Sequence, residues 1–136
     1  MFRIILNNLD QLSGRLIFAL FRIIPNKTMK KFVAINYIQC EQDYADRFEQ
    51  LFATRAHAID RLPGFIDMQV LKPSNEKDEY LIVSHWNSEE DFKNWTRSPE
   101  FLEGHKRGFE DIKIAREKGD KPPMTSSFKT YKVIAN

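Results

Sequence analysis

Nine residues, Phe32 to Cys40, read Phe-Val-Ala-Ile-Asn-Tyr-Ile-Gln-Cys and limit the fold more than any other stretch. They are rich in β-branched and aromatic side chains and apolar on both alternating faces, the pattern of a strand covered on both sides. One face carries Phe32, Ala34, Asn36 and Ile38; the other carries Val33, Ile35 and Tyr37. Asn36 is the exception. A carboxamide in the middle of a buried strand costs stability unless its polar atoms find partners. It is either a satisfied core or edge residue, or a group kept for chemistry.

After this strand the period changes. From Asp43 to Leu62 the apolar residues Ala45, Phe48, Phe52, Ala56 and Ile59 lie three or four apart, which predicts one amphipathic helix over that whole span. His57 and Arg55 fall at its border and read as boundary residues. Leu62-Pro63-Gly64-Phe65 closes the helix, and Phe65 to Leu71 is a strand. A polar loop, Pro73 to Asp78, leads to a third strand, Tyr80 to Trp86. Ser88 then caps a short helix with Asp91 at the capping-box position, and three acids sit at the positive end of its dipole. Ser98-Pro99 restarts the helix, because proline is tolerated at the first helical position. A last strand is expected over Ser127 to Ile134, after the break at Pro122-Pro123.

The order β-α-β-β-α-β predicts a ferredoxin-like α+β sandwich with both helices on one face of the sheet. Yet the first strand is apolar on both faces. The open face needs a cover, and a second copy is the economical one, so a homodimer forming a dimeric α+β barrel is expected.

The chain has 136 residues, 42% hydrophobic and 29% charged, and residues 29–136 are enough for one domain with a real core. The net charge of +2 is unevenly placed. Arg3, Arg15, Arg22 and Lys27 against Asp10 give residues 1–28 a charge of +3 and leave −1 for the remainder. No basic footprint for nucleic acid follows. Residues 1–28 read as a loosely attached extension. The competing reading, a short amphipathic helix resting on a membrane or on the domain, draws on Leu9, Leu12, Leu16, Leu20 and Ile24 at helical spacing. The apolar run there is too short to span a bilayer. Cys40 is the single cysteine, so no intrachain disulfide forms and a reducing, cytoplasmic setting is the expectation. No cysteine cluster or histidine pair suggests structural zinc.

The chemistry concentrates between Asn94 and Phe109. Phe101, His105, Phe109 and Ile112 lie four, four and three residues apart on one helical stripe, which turns His105 toward the apolar side. Gly104 and Gly108 flank it, and each glycine costs a helix about 1 kcal/mol relative to alanine. Two beside one histidine point to backbone that must stay uncrowded. The plainer reading is a buried histidine bonded to a carbonyl in a fraying helix. Neutral imidazole is the commonest metal ligand and a standard proximal ligand of haem iron. Phe92, Trp95, Phe101 and Phe109 can line a flat apolar slot. Lys106 and Arg107 follow the histidine and read as solvated.

From about Met29 to Ile134 the chain resembles the antibiotic biosynthesis monooxygenase superfamily, and within it the IsdG-type haem-degrading monooxygenases. The resemblance rests on Asn36 in Phe-Val-Ala-Ile-Asn-Tyr, Trp95 in Phe-Lys-Asn-Trp and His105 in Phe-Leu-Glu-Gly-His-Lys, with a ten-residue Trp-to-His interval. Leu62-Pro63-Gly64-Phe65 is also similar, but cofactor-free relatives share that turn. The resemblance implies haem as both cofactor and substrate, O₂, an external electron donor or reductase, and no flavin or other organic cofactor. His105 would ligate iron, with Phe92, Phe101, Gly108 and Phe109 around the macrocycle. Trp95 would press the porphyrin out of plane, and Asn36 would hydrogen-bond to the oxygen bound on the distal side. The alternatives are a cofactor-free monooxygenase acting on a quinol or aromatic substrate, and a non-catalytic haem-binding protein.

Overall fold

The computed structural model describes residues 30–136. The expected extension at 1–28, and any amphipathic helix within it, lies outside the described residues. The strands are β1 (Phe32–Cys40), β2 (Phe65–Leu71), β3 (Tyr80–Trp86) and β4 (Met124–Lys132); the helices are α1 (Ala45–Ala53), α2 (Glu89–Thr96) and α3 (Pro99–Glu117). Short 3₁₀ turns, Gln42–Tyr44 and Ile59–Arg61, precede and follow α1. The sheet has the order β2-β3-β1-β4 and every neighbouring pair is antiparallel, as a ferredoxin-like β-α-β-β-α-β chain requires.

The first strand explains the layering. Phe32, Ala34 and Ile38 are buried on its helix-facing side, and β3 continues that face with Tyr80, Ser84 and Trp86. Helix α2 adds Phe92 and Trp95, which meet Phe32, Ala34, Ile59 and Trp86 in one core cluster. A second cluster at the other end joins Ile38, Phe48 and Tyr80. The Tyr80 hydroxyl leaves the core to donate to Glu49 at 2.9 Å; burial, with that carboxylate beside it, pushes its pKa up to about 12. On the opposite side Val33, Ile35 and Tyr37 pair with His85, Val83 and Leu81, and no helix of the described residues covers them.

Two expected boundaries are corrected. The helix over Asp43 to Leu62 ends at Ala53; Thr54 closes it, His57 takes a φ of 56°, and the chain resumes as the Ile59–Arg61 turn. The apolar stripe continued because Ile59 still faces the core, although the backbone had left the helix. The last strand begins at Met124, opposite Cys40, and ends at Lys132. Its side toward the helices carries Ser126 and Thr130 as well as Phe128, so no clean apolar alternation marked where it starts. The caps are as expected. Ser88 Oγ accepts from the Asp91 amide at 3.1 Å, and Ser98 Oγ accepts from the Phe101 amide at 3.2 Å. Gly64, at φ 82°, is required where it stands, since a Cβ there would meet the Asp91 side chain at 2.1 Å.

Candidate active site

Between the sheet and α3 lies a cavity of about 430 Å³. Asn36 lies on its sheet wall, Phe92 and Trp95 come from α2, and Phe101, His105, Gly108 and Phe109 come from α3; all seven sequence-predicted site residues line it. The separation in sequence is closed by the fold: β1 is an inner strand, and α3 packs over the same face.

The carboxamide oxygen of Asn36 has no hydrogen-bond partner among the described residues. Its cross-strand neighbours are Ile82 and Phe128, neither of which offers a hydrogen bond. Among the described residues, Asn36 Oδ1 is the one buried side-chain nitrogen or oxygen left unbonded. The reading of a satisfied core asparagine is therefore set aside. A buried, unbonded carbonyl oxygen costs about 1–3 kcal/mol, which packing does not explain.

His105 is positioned by its own helix. Its Nδ1 lies 2.7 Å from the Phe101 carbonyl oxygen, and a carbonyl only accepts, so Nδ1 carries the proton and Nε2 keeps its lone pair. Burial pulls the imidazole below the usual histidine range, against the opposing influence of the Phe101 carbonyl. The ring is thus neutral at neutral pH, the form that binds metals. Phe101 and Phe109 hold it from two sides, with centroids 4.1 and 5.2 Å away, and the Phe109 ring is stacked on it. Trp95 lies 6.0 Å from the imidazole and 5.2 Å from Phe101, edge-on. Only 6% exposed, it belongs to the core and to the cavity wall together. Phe128 of β4 stacks on Phe92 at 5.2 Å and extends the aromatic lining.

The glycines are roomier than expected. A Cβ on Gly104 would lie 3.4 Å from the Trp95 ring, and one on Gly108 would lie 3.5 Å from the Met124 methyl, both ordinary contacts. Protein packing alone does not require glycine at either place.

Sequence reasoning missed the loop after α1. Arg55, His57 and Ala58 line the cavity, with Arg55 paired to Asp60 at 2.9 Å and His57 Nδ1 3.1 Å from the same carboxylate. It also missed Arg107, which is no idle surface cation: it donates to Thr54 Oγ1 at 2.8 Å, Leu51 O at 2.9 Å and Thr54 O at 3.0 Å. Neither signal was available locally, because both depend on where α1 ends. No group of three or more metal-binding side chains occurs among the described residues. A metal here would need to arrive with most of its ligands, and His105 would supply one further nitrogen. No helix of the described residues is long and apolar enough to cross a membrane.

Residues 31–107 match the antibiotic biosynthesis monooxygenase family profile. A mycobilin-producing haem oxygenase of Mycobacterium tuberculosis is 39% identical over 67 residues, 49% of this chain and 64% of that protein. A haem-degrading monooxygenase of Bacillus thuringiensis is 41% identical over 49 residues, 35% of this chain and 46% of its own length. The chain therefore spans less than two thirds of these curated relatives. Among solved structures, the haem degrader MhuD of Mycobacterium tuberculosis, with two haems bound in its active site, superposes with a TM-score of 0.56 at 30% identity, covering 77% of this chain and 97% of that one. SnoaB, a cofactor-independent oxygenase of Streptomyces nogalater, gives a TM-score of 0.56 at 20% identity, covering 79% and 96%, a likeness of fold alone.

Proposed function

Because the chain belongs to the antibiotic biosynthesis monooxygenase family, we propose that it is a haem-degrading monooxygenase, opening the porphyrin ring and releasing iron. The observation that carries this reading is the pairing of His105, whose Nδ1 is bonded to Phe101 while Nε2 stays free, with Asn36, whose buried oxygen has no partner, around one apolar cavity. A flat aromatic ligand bearing one metal would use both groups. The sequence similarity to two haem-degrading enzymes supports the same substrate.

When bound, haem supplies the redox iron that activates O₂ with electrons from an external donor, and its macrocycle is the group oxidised. The remaining work belongs to the protein. His105 would hold the iron through Nε2, and its bond to the Phe101 carbonyl fixes ring tautomer and orientation. Phe92, Phe101 and Phe109 exclude water from the macrocycle faces. Trp95 is braced by the core, and from that fixed position it would press on a bound porphyrin. Gly108 withholds a side chain from the slot. Asn36 would offer its carboxamide, from the sheet wall, as a hydrogen-bonding group to whatever the haem carries there. A second copy of the chain covers the open sheet face, and the enzyme works in the reducing cytoplasm with an external reductase.

Titrating the purified protein with hemin tests this reading. A saturable Soret shift is expected, lost in His105→Ala. No shift in the wild type would remove haem and favour the cofactor-free oxygenase.

A further inference from the structure

Helix α3 bears two stripes with different tasks. Phe101, His105, Gly108 and Ile112 line the cavity, as does Arg107 from the neighbouring stripe. Beside them Glu103, Arg107 and Asp111, four residues apart, all reach back to the segment that contains α1. Glu103 pairs with Arg61 of the turn after α1. Asp111 accepts from Tyr44 at 2.5 Å and Arg47 at 3.0 Å at the start of α1. Arg107 takes the middle, where α1 ends.

That ending is unusual in its cause. If α1 continued, the Arg55 amide would reach Leu51 O; instead it turns to Phe52 O at 3.3 Å. The Arg107 guanidinium takes its place on Leu51 O and also holds Thr54 O. Thr54 Oγ1 accepts a further bond from Arg107 and donates its own proton to Gln50 O at 2.8 Å. A cation at the negative end of the helix dipole, with a planar fork matched to several acceptors, suits this position. Released from helical geometry, the chain places Arg55, His57 and Ala58 on the cavity wall.

We propose that Arg107 is a positioning residue of the slot: by ending α1 from the helix that carries His105, it sets the separation between that helix and the 54–58 wall, and so which planar macrocycles fit. Arg107 stands two residues from His105, so one rigid helix holds both the iron ligand and the clamp on the facing wall. The inference rests on reading the cavity as a haem slot.

Amide hydrogen exchange of the ligand-free protein, with hemin titration alongside, tests it. In Arg107→Met the Thr54, Arg55, Asp60 and Arg61 amides should exchange about ten-fold faster while β1 and β3 keep their protection, since charge-assisted bonds of this kind are lost locally. Hemin should bind about ten-fold more weakly, as for other residues that orient a ligating shell. Arg107→Lys, which keeps the charge without the fork, should fall between. Unchanged exchange at these four amides, exchange raised through the whole sheet, or locally raised exchange with full hemin affinity would each overturn the proposal. If the wild type binds no hemin, the haem reading fails, while the exchange data still decide whether Arg107 holds the wall.

Discussion

Asn36 is where stability and function separate most sharply. Its oxygen is buried beside Ile82 and Phe128 without a donor, so the residue is a liability to the empty protein. Asn36→Leu should stabilise the ligand-free protein against urea by about 1–3 kcal/mol, the usual penalty of an unsatisfied buried group. The same variant should keep its Soret band and lose most turnover. A stability loss would show that the carboxamide is satisfied in solution, and full turnover would remove Asn36 from the mechanism. That an asparagine stood among apolar neighbours was legible from strand alternation. That it had no partner was not, because its neighbours come from β3 and β4, far away in the chain. His105 was legible in the same partial way: spacing placed it on the inner stripe, but its neutral tautomer depends on the bond to Phe101.

Helix α3 carries the proposed iron ligand, His105, on one edge and its clamps to the α1 segment on the next. Its glycines carry a prediction of their own. Neither Gly104 nor Gly108 is forced by protein contacts, so Gly108→Ala should raise the thermal stability of the empty protein by about 0.5–1 kcal/mol through helix propensity. Its hemin affinity should fall, because the methyl enters the slot. Unchanged affinity would mean that the ligand never approaches that turn. The boundary of α1 shows why elements were legible but their ends were not. Ala45, Phe48, Phe52 and Ile59 report which side of the chain faces inward, and they do so in either a helix or a 3₁₀ turn. What stops the helix is Arg107, more than fifty residues on.

For the whole molecule the open sheet face is decisive. Val33, Ile35, Leu81 and Val83 lie on it with no helix of the described residues above them, and Leu71 and Tyr131 are 42% and 44% exposed. Lys30 and His85 bind Asp67 on the β2 side of the face, at 2.9 and 2.6 Å, and the Tyr37 and Tyr131 hydroxyls meet on the β4 side, giving the apolar strip polar flanks. Such a face is expected to close on its twin. Val83→Asp should convert a dimer to a monomer in gel filtration, and a wild type that is already monomeric at micromolar concentration would contradict the proposed assembly. The layered order of elements, and this need for a cover, were legible because period and apolarity are local properties. The cavity was not, since its volume is the space left between β1, α3 and the loop after α1.

Haem entering this cavity should be consumed there. Protein loaded with one equivalent of haem, given a reductase or ascorbate in air, should lose its Soret band while a ferrous chelator in the same cuvette takes up the released iron. A Soret band that stays intact for hours, with no iron reaching the chelator, would contradict the account and leave a haem-binding protein without turnover.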